Sequence, residues 1–274
     1  MIIYENIKQL ESVGQLSANS LVNADCLEAM KYIADKSIDA IICDLPYGTT
    51  ACKWDTIIPF EPLWAQYKRI IKDNGAIVLF GSQPFTSALV MSNPDMFKVH
   101  IVWNKKKAGN FVQGNIQPMK VHEDIVIFYK KQPTYNPQKT QLDKPQKVRN
   151  GAKNRQDRKE AGGFGGTVIY SDKFEADKKL PTTIVEVSKD NYGKNVFHPT
   201  QKPVALLEYL IKTYTNEGET VLDNTMGSGS TGVAAKQLNR SFIGIEMDDK
   251  YFEIAKKRIN EANPTVTLFS EFRG

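Results

Sequence analysis

The sequence predicts an α/β fold: an open, mainly parallel sheet with helices on both faces, interrupted by a loop-rich basic insertion. Three observations predict it. Short apolar runs of strand length alternate with amphipathic segments of helix length. Two of those runs end abruptly in loops rich in acids, proline and glycine, Asp44-Leu45-Pro46-Tyr47-Gly48 and Asp223-Asn224-Thr225-Met226-Gly227. From Lys130 to about Asn195 the alternation stops, and Lys, Arg, Gln, Asn, Pro and Gly dominate.

Taken in order, residues 1–38 open with a polar segment. Leu21-Val22 then leads into Asn23-Ala24-Asp25-Cys26 and an amphipathic helix near Leu27–Ile33, with Asp25 at its start as an N-cap or a ligand contact. Ala40–Cys43 is a buried strand, too short for a helix. Asp44 to Gly48 lies just past its carboxyl end, where open α/β sheets bind ligands. A helix runs from Phe60 to Lys72 with Pro62 in its first turn, and Asn74-Gly75 ends it. Ala76–Phe80 is a second buried strand, followed by Gly81-Ser82 and a short helix with Pro84 in its first turn. Val99–Trp103 and Ile125–Tyr129 are further strands. After the basic stretch, Val204, Leu207, Leu210, Ile211 and Tyr214 share one face of a helix from Pro203 to Tyr214. Strand Thr220–Leu222, helix Ser230–Leu238, strand Ser241–Ile245 and helix Asp249–Ala262 complete the pattern.

The chain has 274 residues, 41% hydrophobic and 24% charged, room for one sizeable α/β domain with an insertion or for two small domains. No run approaches the roughly 18 apolar residues of a membrane span. The first ten residues lack the apolar core of a secretory signal. Three cysteines, Cys26, Cys43 and Cys52, form no C-x-x-C pair, so reduced thiols and a cytoplasmic location are expected. Net charge is +5, but Asn104 to Glu160 carries 14 Lys/Arg against 5 Asp/Glu, leaving the remainder negative. A polyanion is the expected partner of that middle stretch.

Gly227-Ser228-Gly229-Ser230-Thr231-Gly232 fits G-x-G-x-x-G between a strand and a helix, and Glu246 ends the next strand 19 residues after Gly227. Glycines let the backbone approach a ligand, and an acid there accepts the hydroxyls of a ribose. The plainer alternative is that the glycines only permit tight helix–strand packing. A dinucleotide oxidoreductase fits the motif but not its position, because only 42 residues follow Gly232. The sheet must be completed by earlier strands, including the one ending at Asp44. Three histidines, His100, His122 and His198, have no ligand spacing, so no metal is expected.

That order, with these residues, resembles the β-group of amino-specific DNA methyltransferases. Asp44-Leu45-Pro46-Tyr47 is similar to the family's Asp-Pro-Pro-Tyr motif, and Asn23-Ala24-Asp25-Cys26-Leu27 to the short acidic motif before it. Ala76-Ile77-Val78-Leu79-Phe80-Gly81 and His122-Glu123-Asp124-Ile125-Val126 resemble its later strands. His198-Pro199-Thr200-Gln201-Lys202-Pro203, Val221-Leu222-Asp223 through Gly229, and Gly244-Ile245-Glu246 resemble its cofactor segments. Leu45 stands where the family usually has Pro, implying a less rigid turn, and Asn224-Thr225 stand where it usually has Pro-Phe.

The resemblance implies a Rossmann-like S-adenosylmethionine-dependent methyltransferase sheet with circularly permuted motifs, the catalytic half first and the cofactor loop near the C-terminus. It implies a catalytic domain of residues 1–130 plus 196–274 and a target-recognition insertion of 131–195. The activity implied is methyl transfer from S-adenosyl-L-methionine to the N6 amine of adenine in double-stranded DNA, by base flipping and direct attack. Asp44 and the Leu45 carbonyl would accept the amine's hydrogens, Pro46 would hold the turn and Tyr47 would stack on the base. For the cofactor, Glu246 would take the ribose, Asp25 the adenine amine, and Thr200 and Lys202 the methionine carboxylate. Asp223, Thr225, Gly227, Ser228, Gly229 and Ser230 would surround its methionine part, with Met247 beside the adenine. Left to themselves, Lys202 reads as a solvated lysine at a helix start and Met247 as simple core packing. The basic insertion would contact phosphates, with Arg149, Arg155 and Arg158 able to read guanines. A homodimer is also implied. Cytosine-N4 methylation, methylation of RNA or protein glutamine, and a non-enzymatic DNA-binding relative are the alternatives.

Overall fold

A computed structural model describes residues 1–48, 56–109, 112, 114–144, 175, 177–189 and 201–264. The chain divides into two units, 1–136 with 183–274, and 137–182.

The larger unit is built on a nine-stranded sheet. Its strands are β1 (Ile2–Tyr4), β2 (Ser20–Asn23), β3 (Ile38–Cys43), β4 (Ile71–Gly81), β5 (Phe97–Asn104) and β6 (His122–Phe128), then β9 (Ile184–Glu186), β10 (Thr220–Asp223) and β11 (Ser241–Glu246). In the smaller unit β7 (Thr140–Gln141) pairs antiparallel with β8 (Lys178–Lys179). The sheet order is β1-β2-β11-β10-β3-β4-β6-β5-β9, and β6 is the one strand antiparallel to its neighbours. The last two long strands, β10 and β11, therefore insert between β2 and β3.

Helices α1 (Ile7–Val13), α2 (Cys26–Met30), α3 (Phe60–Ile70) and α4 (Phe85–Ser92) cover one face. Their apolar stripes, including Leu10, Met30, Leu63, Tyr67 and Leu89, are fully buried against that face. Helices α5 (Val204–Tyr214), α6 (Ser230–Gln237) and α7 (Asp249–Glu261) cover the other, through Leu206, Leu210, Ala234, Phe252 and Ile259. Each such aliphatic or aromatic side chain withdrawn from water contributes about 1.5–3 kcal/mol. Strand β3 exits toward α3 on the first face and its neighbour β10 exits toward α6 on the second. A crevice opens where adjacent strands diverge in this way. Asp39 ties the two strands at their opposite ends, accepting from the Thr220 amide at 2.9 Å and from Lys72 at 2.6 Å.

Three expectations need correction. The opening segment holds β1 and α1, with Asn6 capping α1 through the Gln9 amide and Gly14 closing it at φ 78°. Residues 184–186, expected in the insertion, form an edge strand beside β5, with Val185 buried and Ile184 exposed. Asn74-Gly75 does not end α3, which stops at Ile70, and both residues lie within β4. An added Cβ at Gly75 would lie 2.8 Å from the Asp39 carbonyl oxygen, so glycine permits the close approach of β3 and β4 there.

Candidate active site

The carboxyl ends of parallel strands share one edge of a sheet, and the strand order lines acids along it. Asp25 follows β2, Glu246 ends β11, Asp223 ends β10 and Asp44 follows β3. Because β6 runs antiparallel, its first residues reach the same edge, bringing Glu123 beside the exit of β4. Lys105 follows β5 and Lys189 follows β9. A cavity of ≈ 510 Å³ opens over this edge and includes Asp25, Asp44, Tyr47, Glu123, Lys202 and Glu246 in its lining.

Asp44 is engaged on both oxygens. The Tyr47 hydroxyl donates to Oδ1 at 2.6 Å, and the Lys202 ammonium bonds Oδ2. Burial pushes the Tyr47 phenol well above its ordinary pKa, and the Asp44 charge adds to this, so Tyr47 stays a donor. The Tyr47 ring packs on Phe85 at 5.0 Å with a 30° tilt. Leu45 is buried among the residues of the first face, so the turn is anchored by packing where a second proline would have stiffened it.

Lys202 is no solvated lysine; its side chain is 7% exposed. Its ammonium sits between Asp44 and Glu123 Oε2, the latter at 3.3 Å. Burial works against its charge, but the two carboxylates overcome this and hold its pKa above the ordinary value. Glu123 also meets Lys105 at 3.1 Å and Lys189 at 3.9 Å. Burial alone would raise its pKa; Lys202 and Lys105 outweigh burial and bring it down to about 2.

The β10 loop is held differently. The Thr225 amide donates to Asp223 Oδ1 at 3.1 Å. Its hydroxyl donates to the Asp44 main-chain carbonyl at 3.0 Å and lies 2.9 Å from Cys43 Sγ. Burial keeps the Cys43 thiol protonated, so it can donate to Thr225 in turn. The residue standing in place of the family's Phe thus joins the two loops. Asn224 Oδ1 accepts from Tyr67 at 2.6 Å, while its buried Nδ2 faces the Cys26 thiol. Burial pushes Asp223 up to about 7.

The three motif glycines do different things. Gly227 has φ 51°, lines the cavity, and a Cβ there would meet nothing within 4 Å. Gly229 and Gly232 are packing glycines. A Cβ would lie 2.8 Å from Ala255 Cβ at Gly229 and 2.4 Å from Ile259 Cδ1 at Gly232. The Cβ side of Gly229 thus faces α7. Glu246 accepts from the Gly227 amide at 2.8 Å and from the Asp248 amide at 2.8 Å. Burial raises its carboxyl above the ordinary range despite those bonds. Asp25 caps α2 through the Leu27 and Glu28 amides and also lines the cavity. Met247 is 64% exposed on the cavity wall, not packed in the core. Ser228 and Ser230 line the cavity, and Arg258 from α7 donates to Ser228 Oγ at 2.9 Å.

Thr200, Arg149, Arg155 and Arg158 lie outside the described residues. Sequence reasoning missed the roles of Glu123, Lys105, Lys189 and Arg258. Glu123 sits in a quoted motif, and the signal that would have found it is the reversed direction of β6. Among the described residues no group of three or more His, Cys, Asp or Glu is placed to hold a metal. His100 instead bonds Asp124 at 2.9 Å.

Known proteins are similar to this chain in sequence and in fold. The Type II methyltransferase M.HpaI of Haemophilus parainfluenzae is 31% identical, over 93% of this chain and 75% of its own length. The Type II methyltransferase M.HinfI of Haemophilus influenzae is 30% identical, over 90% of this chain and 69% of its own. Among solved structures, the M1.HpyAVI–SAM complex superposes with a TM-score of 0.56 at 27% identity, covering 87% of this chain and 98% of that one. The model of the N6/N4 DNA methylase family matches residues 38–257, from the first residue of β3 through the cavity edge and into α7. The chain belongs to that family of DNA methylases.

Proposed function

We propose that this enzyme moves a methyl group from S-adenosyl-L-methionine to the exocyclic N6 amine of adenine in a specific sequence of double-stranded DNA. The observation that carries this is the meeting of Asp44-Leu45-Pro46-Tyr47 and the β10 glycine loop on one cavity edge, joined by the Thr225–Asp44 hydrogen bond. Family members with Asp first in the turn favour adenine.

The residues fit the donor. Gly227 leaves open space beside the loop, where a Cβ would meet nothing within 4 Å. Each oxygen of Glu246 uses one lone pair on a backbone amide and keeps another for a ribose hydroxyl. Asp25 would take the adenine amine, with Met247 beside the ring. Asp223, Thr225, Gly227, Ser228 and Ser230 would enclose the methionine part, and Lys202 with Thr200 would take its carboxylate. S-adenosyl-L-methionine supplies a methyl group on positively charged sulfur, open to attack by an amine lone pair.

The chain's own residues make the amine capable of that attack. A base amine is a poor nucleophile because its lone pair is delocalised into the ring. Asp44 and the Leu45 carbonyl accept its two N–H groups, draw the nitrogen toward a tetrahedral shape and free the lone pair. Positioning and fixed charges do most of the work. Tyr47 orients Asp44 and offers a ring face to the flipped base, which must leave the duplex to be reached. The basic segment around residues 137–182, with Arg149, Arg155 and Arg158, supplies phosphate contacts and sequence reading. A cytoplasmic enzyme is consistent with the described helices, none of which is long and apolar enough to cross a membrane. The homodimer implied by resemblance is open to light scattering.

The test is incubation with tritiated S-adenosyl-L-methionine and duplex DNA, followed by nucleoside analysis. Label in N6-methyladenine is expected. Label in N4-methylcytosine would replace adenine by the alternative base, and absence of label from DNA would sink the reading.

A further inference from the structure

Asp44 must share its oxygens. To activate an amine it must accept an N–H, and each oxygen already accepts one bond, Oδ1 from Tyr47 and Oδ2 from Lys202, so an amine that takes Oδ2 competes with the ammonium for its charge. The Lys202 bond is the costly one to break, because a buried ammonium left without a counter-charge is strongly disfavoured. A second acceptor is already in place. Glu123 Oε2 is buried and lies 3.3 Å from the Lys202 ammonium, a longer and weaker pairing than the ammonium makes with Asp44. The other oxygen of Glu123 is fixed by Lys105 at 3.1 Å, so the carboxylate is braced with one oxygen turned to Lys202.

We propose that Glu123 is a positioning residue whose Oε2 receives the Lys202 ammonium when the target amine takes Asp44 Oδ2. No proton changes hands. The ammonium keeps its three hydrogens and shifts its main partner from one carboxylate to the other. The proposal rests on the reading of Asp44 as the amine acceptor.

The groups facing Lys202 are few. Asp44 faces it from the β3 turn and Glu123 from β6, with the rings of Tyr47 at 5.9 Å and Phe80 at 5.0 Å. Lys105 and Lys189 face it across Glu123. With Glu123 made neutral, Asp44 is the one protein carboxylate left to answer the Lys202 charge, beside the donor carboxylate assigned to Lys202 above, and binds it more firmly. One of the two supports for its proton is also gone, so alkaline pH discharges it sooner and releases Asp44.

The test is Glu123→Gln in the full-length enzyme, with kcat and KM for DNA and donor measured from pH 7 to 9.5, and donor binding followed by calorimetry. The expected kcat falls about 10- to 100-fold at pH 7 with both KM values and donor affinity within about threefold. The deficit shrinks as pH rises, and Glu123→Asp recovers part of the rate. The double variant Glu123→Gln with Lys105→Gln removes a charge of each sign and guards against misfolding of the single one; it should show the same deficit and alkaline recovery. A Glu123→Gln or double-variant kcat within twofold of wild type overturns the inference. So does a deficit equal at every pH with Glu123→Asp no better than Gln. Asp44→Ala separates the two ideas. Transfer abolished there but normal in Glu123→Gln defeats this inference alone, whereas transfer retained in Asp44→Ala defeats the reading of Asp44 beneath it.

Discussion

Two stretches of the same sheet edge hold their carboxylates in different ways. On β2, β11 and β10, Asp25, Glu246 and Asp223 accept from backbone amides. Across β3 and β6, Asp44 and Glu123 are answered by lysine ammoniums. The first group holds a shape: its partners are peptide groups fixed by the loops themselves. The second holds a charge balance, whose partners sit on long side chains that can exchange. A loop that must fit a donor of fixed outline suits the first arrangement. A carboxylate that must trade one partner for another during a reaction suits the second.

The contrast can be broken from either side. The largest effect is expected from Asp44→Ala. Methyl transfer should fall by about 10³-fold, the scale seen when one fixed charge or donor is removed from a reacting centre. Donor affinity by calorimetry should stay the same, because the amide-held loop is untouched; joint loss would show that the two stretches are not separable.

Next in size is the effect of pH on Asp223. Its folded pKa, pushed up to about 7 by burial, exceeds the ordinary carboxylate value of 3.8. The folded chain therefore holds a proton that the unfolded chain releases. That contribution to stability is complete below about pH 4 and is lost as pH rises through 7. Asp223→Asn removes the dependence. Its gain in stability over wild type should be small at pH 4 and grow to a few kcal/mol by pH 8, read by thermal unfolding. An equal gain at both pH values would contradict the assignment.

Gly232→Val probes shape alone. Its Cβ would lie 2.4 Å from Ile259 and 2.6 Å from Phe242, both buried, so a loss of about 1–3 kcal/mol is expected in chemical denaturation. Wild-type stability would mean that α7 yields freely there. The smallest effect belongs to Tyr67→Phe, which removes the hydroxyl that orients Asn224. A loss of about 1 kcal/mol is expected with kcat unchanged, and a larger fall in kcat than in stability would move Asn224 to the charge-balanced group.

Much of this edge is legible in the sequence because its loops are short and punctuated. A buried apolar run stopped by Asp44 and Pro46, or by Asp223 and Gly227, names both the strand and its exit. The relation between those exits is also legible, since too little chain follows Gly232 to build a sheet without the earlier strands. Glu123 was hidden for a topological reason. Its place on the edge depends on β6 running backwards, and side-chain alternation is the same in either direction. β1 and β9 are three-residue edge strands with few buried side chains, too short to carry a pattern. The packing duty of Gly229 and Gly232 depends on α7, some 25 residues further on.

The insertion of β10 and β11 between β2 and β3 also governs how the molecule is born. Synthesis delivers β2 and β3 early, but they are not neighbours, and a gap two strands wide stays open until residues 220–246 leave the ribosome. Until then the nascent sheet is two separate pieces with unpaired edges, the kind of surface that chaperones cover. Closing it requires pairings across roughly 200 residues of sequence, which favours slow folding. The strands that close the sheet also carry Asp223 and Glu246, so completion of the fold and completion of the site are one event.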